Sequence, residues 1–314
     1  MISRRNIRVK VMQVLYALEW IDSDNSGAAK ANDPVKLLNR SLDRSRELFV
    51  FLLYHLTSVA AYAETDAYRR ASKNLPSVED RNVNTKIASN TVLWKIREAE
   101  GYQAAMEKDK PELRADKDMI RKLYNKLVES EPYKYYIAEL ERTPKAEKEI
   151  IQFIFSTLML PNEDFVAYVE ENFNNWDDDA EMMQQLMLSY LQKPGSFNLG
   201  DMVSEEKWLY AKNLLTTVNE KKAYLMELIT PKLKNWDVER IARLDMIILK
   251  MGVSELLYFE TIPTKVTINE YIDVAKDYST AQSGHFVNGI LDSIHKELLA
   301  ANKIHKIDFK SKSS

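Results

Sequence analysis

The sequence predicts an all-α protein, on three observations. Glycine and proline are scarce, 7 and 9 in 314 residues, too few to punctuate the many short turns of a β-rich domain. Apolar residues recur at helical rather than alternating spacing over most of the chain, which argues for amphipathic helices. The stretch from Trp236 to Leu298 reads as three helices in close succession, the first apolar on most of its circumference, as a central buried helix should be. With 45% hydrophobic and 10% aromatic residues, the chain can bury one large core or two modest ones. No cysteine is present, so disulfide and thiolate chemistry are excluded. The N-terminus has arginines but no apolar signal core, and no apolar run is expected to reach membrane-spanning length. The expectation is a soluble, cytoplasmic protein.

Taken in order, Ser3 can cap a first helix whose buried face is Ile7, Val11, Val14, Leu15 and Leu18. At 100° per residue, Arg5, Arg8, Met12 and Tyr16 share a flanking stripe and Arg4 lies at the opposite edge. The arginines are either solvated or, as guanidiniums on a rigid helix, phosphate ligands. A polar loop covers Asp22–Pro34, and a long helix with Leu38, Leu42, Phe49, Leu52, Leu56 and Val59 on one face follows to about Ala71. Helical patterns recur at about 91–106, 115–130 and 133–142. Packing is favoured over base stacking for the tyrosines at 133, 135 and 136. A faint repeat with an offset of sixty sets Asn175–Trp176–Asp177 against Asn235–Trp236–Asp237, and a shared helical period explains it as well as duplication does. Helices resume over 205–235.

In the final stretch the first helix is expected over Val238–Phe259. Gly252 in its interior implies close approach of a neighbour, since glycine costs about 1 kcal/mol against alanine there. Pro263 breaks the chain, and Thr267 with Glu270 has capping-box spacing. The last helix carries a seam of Val287, Leu291, Ile294 and Leu298, with Phe286 expected off it. Its start, Gly284–His285–Phe286–Val287–Asn288–Gly289, offers backbone N–H groups, an aromatic face and an amide, a combination suited to unpaired RNA; packing of Phe286 against a helix is the alternative.

Charge is unevenly distributed although the net charge is only -3. Arg4, Arg5, Arg8 and Lys10 crowd the start, whereas Glu149–Gln192 holds nine acids and no Lys or Arg. The asymmetry implies two surfaces with different partners. The acids, Asp177–Asp179 in particular, are expected to steer a basic protein partner; stabilising the start of a helix is the plainer role for consecutive acids. No phosphate-binding glycine loop, nucleophile elbow or zinc-protease motif occurs, and His55, His285, His295 and His305 lack metal spacing. No enzyme, metal or cofactor is expected.

Two stretches carry a family resemblance. IPTKVTINEYIDVAK followed by HFVNGILDSIHKEL resembles the C-terminal signature of the bacterial transcription antitermination factor NusB, and SRRNIRVKVMQVLYALE resembles that family's N-terminal arginine-rich helix. The resemblance implies an enlarged NusB-like bundle of two helical subdomains with an added helical insertion: N-terminal helices at 1–60, the insertion at 61–199 with the possible repeat at 150–191, a C-terminal subdomain at 200–300 and a basic tail at 301–314. It implies a non-enzymatic adaptor that binds boxA-like single-stranded RNA together with NusE, a small-subunit ribosomal protein. The pair acts within the RNA polymerase antitermination complex to promote read-through in ribosomal RNA operons. Carried over by residue, Arg4, Arg5, Arg8, Lys250, His285 and Phe286 are the RNA candidates, and Tyr16, Glu239 and Asp245 face NusE. The rival expectation is a helical protein-interaction scaffold with little RNA binding, favoured by Asn6, Ile7 and His285 where the family is more basic.

Overall fold

A computed structural model describes residues 1–23, 33–233 and 241–307. Ser3 opens the first helix as its composition suggests: its Oγ accepts the Asn6 backbone N–H at 3.2 Å, and α1 runs Arg4–Ser23. Asp33 does the same for α2, Pro34–Ala71, accepting from the Val35 N–H, with Pro34 at the first helical position where no N–H is needed. This helix contradicts one expectation, because it contains a window long and apolar enough to cross a membrane. Most of that window is buried within the protein, as in a core helix.

Short capped helices follow: α3 Val78–Arg81, α4 Thr91–Glu98, α5 Glu100–Asp109, α6 Lys117–Glu129, α7 Glu131–Ala138, α8 Pro144–Phe153, α9 Glu163–Asn172 and α10 Trp176–Gln192. Ser77, Asn90, Asp116, Ser130, Thr143 and Asn162 each satisfy backbone donors at a helix start, the role that favours short polar side chains there. The helical pattern at 91–106 is broken at Ala99, which is extended. The break lets Gly101 approach Asn198, whose Oδ1 would lie 2.9 Å from a Cβ at that position. A π-helical turn, Ile154–Met159, continues α8. The C-terminal third supplies α11 Glu205–Glu220, α12 Lys222–Ile229, α13 Arg243–Tyr258, α14 Thr264–Tyr278 and α15 Ser283–Ala300. No strand occurs among the described residues, and the fold is all-α.

The chain divides into two compact units. The first comprises 1–2 and 43–203. Its core gathers Phe51, His55, Phe165 and Phe173, all 0–1% exposed, while Glu147, also buried, accepts from the Thr91 N–H and the Tyr136 hydroxyl, each at 2.6 Å. Tyr133 and Tyr136 are buried and Tyr135 is exposed, so two of the three tyrosines pack.

The second unit comprises 3–42 and 204–314. Here α13 is the central helix, packing against α1, α11, α12, α14 and α15. A Cβ on Gly252 would meet both Leu291 methyl carbons at 2.9 Å, which is the close approach the sequence implied. The α15 seam is buried as expected, but Phe286 is buried too, at 5% exposed. Thr267 and Glu270 form no capping box. α14 already starts at Thr264, and both side chains bond to the buried residues described below. The expected start of α13 and the partner of the Asn175–Asp177 repeat fall outside the described residues.

Candidate nucleic-acid interface

All the described candidate residues belong to the second unit. Successive turns of α1 treat their arginines differently. Arg4 pairs with Glu206 at 2.5 Å on the surface. Arg5, with 43% of its side chain exposed, reaches Asp277 at 2.8 Å and Asp273 at 3.5 Å. Arg8 is 2% exposed. Its Nε and Nη2 donate to the two Glu255 oxygens at 3.0 and 2.8 Å, and Nη1 donates to Glu270 at 3.0 Å.

Glu255 is the hub of that cluster. Besides Arg8 it accepts from the hydroxyls of Tyr210 at 2.6 Å, Thr267 at 2.9 Å and Tyr271 at 3.2 Å. Burial alone would raise its pKa, but the bonds from Arg8, Tyr210 and Thr267 hold it below the ordinary carboxylate value. Burial likewise works to lower Arg8, and the bond to Glu255 with the surrounding charges raises it instead. A buried charge so completely paired fixes the position of α1. The expectation that Arg8 binds phosphate is therefore corrected: its donors are engaged inside the unit. Lys10 is buried as well.

Lys250 is 5% exposed, with Nζ donating to Glu19 at 2.6 Å, and it too is corrected to an internal cation joining α1 and α13. Phe286 is corrected from a stacking platform to a core ring. The N–H groups at the start of α15 are partly engaged, since those of His285 and Phe286 both bond to the Gln282 carbonyl. What the surface keeps there is the His285 and Asn288 side chains, both exposed.

One residue absent from the sequence expectations joins these surface groups. The Lys276 stem lies across Gly284, with its Cγ 2.8 Å from where a Cβ would stand. Its ammonium sits 3.6 Å from Asp273, the carboxylate that also meets Arg5. Arg5, Lys276 and His285 thus lie along one edge of the unit, interleaved with Asp273 and Asp277. The signal available in the sequence was Gly284, whose missing side chain admits the lysine.

The partner candidates also separate. Tyr16 is 36% exposed and packs edge-on to Trp20, 53% exposed, with ring centres 6.4 Å apart. Arg243 stands over the Trp20 ring at 4.9 Å. Trp20 and Arg243 were not anticipated, although Tyr16 and Trp20 sit one turn apart. Asp245 is corrected from a contact residue to an internal one: it is 5% exposed and accepts from the Ser283 hydroxyl at 2.8 Å, tying the start of α15 to α13. Glu239 lies outside the described residues.

Among the described residues, then, the chain is an all-α protein whose second unit carries a mixed-charge edge and an exposed aromatic pair. Comparison with known proteins specifies the family. The NusB family profile matches residues 167–296. The chain is similar to the transcription antitermination protein NusB of Thermodesulfovibrio yellowstonii, 31% identical over 159 residues, covering 51% of this chain and 95% of that protein. It is also similar to the NusB proteins of Methylacidiphilum infernorum, 43% identical over 97 residues, and Salinibacter ruber, 44% over 80. Those two matches cover 31% and 26% of this chain, and span 64% and 50% of the relatives' own lengths. The chain belongs to the NusB family. The profile match starts inside the segment expected to be an insertion and does not include α1.

Proposed function

We propose that this protein is a transcription antitermination factor that acts in the cytoplasm by holding boxA-like single-stranded RNA jointly with NusE. The observation that carries the reading is the surface edge of Arg5, Lys276 and His285 in a NusB-family chain. Arg5 and Lys276 would contact phosphates, with Arg4 extending the site, while His285 and Asn288 would meet bases. Because Asp273 and Asp277 already engage the cations, RNA must displace those carboxylates. Affinity without a partner is therefore expected to be weak, which suits an adaptor completed by a second protein. The aromatic pair Tyr16–Trp20 is the surface assigned to NusE, since exposed Tyr and Trp beside an Arg are typical interface anchors. The complex would then help RNA polymerase read through ribosomal RNA operons.

A second reading, a protein-interaction scaffold with little RNA binding, is favoured by the engagement of Arg8 and Lys250 inside the unit. Titration of a boxA-like RNA with and without NusE separates the two. Antitermination requires sequence-dependent binding that NusE strengthens. A chain that binds NusE but leaves the RNA free in both arms is a scaffold.

A further inference from the structure

We propose that Lys306 is an acylation site, independent of the RNA reading: its amine accepts an acyl group from an acyl phosphate, and the modification frees a strap, residues 301–307, from the end of α13. α15 stops where Asn302 adopts a left-handed conformation, with φ at 53°, and the chain turns back. The Lys303 N–H bonds to the Leu298 carbonyl at 2.9 Å, and its ammonium stands 6.0 Å from the centre of the Tyr224 ring on α12. Further on, the Ile307 N–H donates to the Glu260 carbonyl at 3.0 Å. Between these two ties, Lys306 Nζ donates to the Glu255 and Phe259 carbonyls at 2.9 and 2.7 Å. Carbonyls at the end of a helix have lone pairs to spare, and the helix dipole favours a cation beside them. Lys306 thus fastens the strap to α13.

The acceptors set this lysine apart. Lys232 faces Glu297, Lys250 faces Glu19, Lys276 faces Asp273 and Lys296 faces Asp292, and a carboxylate partner favours the charged ammonium. Asp179 of the first unit is as firmly committed, being 1% exposed and bonded to Ser45 and Asn175, which corrects its expected steering role. The bonds of Lys306 go instead to neutral carbonyls. Two acceptors match the two N–H groups of an uncharged amine, which keeps both bonds while its lone pair points away from them. The side chain is partly exposed, so a small acyl donor can reach that lone pair. Glu255 and Glu260 favour the charged form, but burial outweighs them and lowers the pKa to about 8. At pH 7.5 about a quarter of such an amine is uncharged, against about one part in a thousand for a lysine in water.

In the reaction the neutral amine attacks the acyl carbon and a C–N bond forms. The C–O bond to the phosphate breaks, its electron pair leaves with the phosphate, and one amine proton passes to that departing group. The product amide is uncharged and has a single N–H. At most one of the two carbonyls keeps its bond, and the attraction to the helix end is lost. The ties at Lys303 and Ile307 then remain without the fastening between them, and the strap detaches.

The test uses the full chain and acetyl phosphate at pH 7.5, with occupancy at each lysine followed by peptide mass spectrometry. Lys306 should be acetylated at least about tenfold faster than Lys303, its exposed neighbour on the strap. Hydrogen exchange then reads the strap itself. In the acetylated chain and in Lys306→Gln, the Ile307 amide should exchange at least about tenfold faster, with the melting midpoint near that of the wild type. Lys306→Arg exposed to the same reagent controls for acetylation elsewhere and should keep that amide protected. Equal acetylation of Lys303 and Lys306, an Ile307 amide as protected after acetylation as before, or an equal loss of protection in the treated arginine variant would each overturn the proposal.

Discussion

Glu255 of the second unit and His55 of the first are buried in opposite ways. In the second, Glu255 stays charged because Arg8, Tyr210, Thr267 and Tyr271 all donate to it. In the first, His55 is buried without a charged partner. Its Nδ1 lies 2.8 Å from the Phe51 carbonyl, its ring packs among Phe51, Phe165 and Tyr168, and Nε2 has no hydrogen-bond partner among the described residues. Burial lowers its pKa to about 4, only partly offset by the Phe51 carbonyl and by Asp116. The lesson is that burial alone does not set protonation. The donors that arrive from distant parts of the chain do.

Removing one side of the charged hub gives the largest expected effect. Arg8→Ala or Glu255→Ala should cost about 3–5 kcal/mol, because each leaves the other charge buried and unpaired. Chemical denaturation checks this, and a loss below about 1 kcal/mol would reduce the hub to an ordinary surface pair.

Acid should then separate the units. A histidine whose folded pKa lies below its unfolded value leaves stability intact above about 6.5. As pH falls from there to about 4, the loss is on the order of 3 kcal/mol. Glu255 has the opposite sense: a depressed carboxylate keeps its contribution above the ordinary value of 4.5 and loses it as pH falls through the lower folded pKa. Hydrogen exchange across pH 4–7 should show the first unit loosening before the second. His55→Phe should flatten the response of the first unit alone, and simultaneous loosening in the wild type would contradict the contrast.

Gly252→Ala comes next, at about 1–3 kcal/mol by overpacking, since the new Cβ would stand 2.9 Å from both methyl carbons of the fully buried Leu291, which must shift to admit it. Arg5→Ala should change stability least, within about 1 kcal/mol, as expected for a half-exposed ion pair. Thermal melts of these two variants rank them directly.

Where one helix decided the outcome, the sequence was enough. The Ser3 cap, the length of α2 and the α15 seam follow from local spacing, and Gly252 revealed a close neighbour. Failures came where a distant residue decided. A helical wheel groups Arg5 with Arg8 and Tyr16, yet Arg8 meets a carboxylate 247 positions away that no wheel contains. Thr267 and Glu270 have the spacing of a cap and serve the same buried cluster instead. Phe286 lies one residue from a seam position, and α15 packs against α12, α13 and α14, so the buried stripe is wider than a single seam. Lys276 was missed because its placement depends on Gly284 in another helix.

The central claim is that RNA meets the outer edge of the second unit while Arg8 serves its interior. The most direct measurement is the salt dependence of boxA-like RNA affinity, with NusE present, for the wild type and for Arg5→Ala combined with Lys276→Ala. Each lost phosphate contact should lower the slope of log affinity against log salt by about 0.7 on single-stranded RNA. The account predicts a slope reduced by about 1.4 in a double variant that melts like the wild type. An unchanged slope and affinity in that folded variant would contradict it.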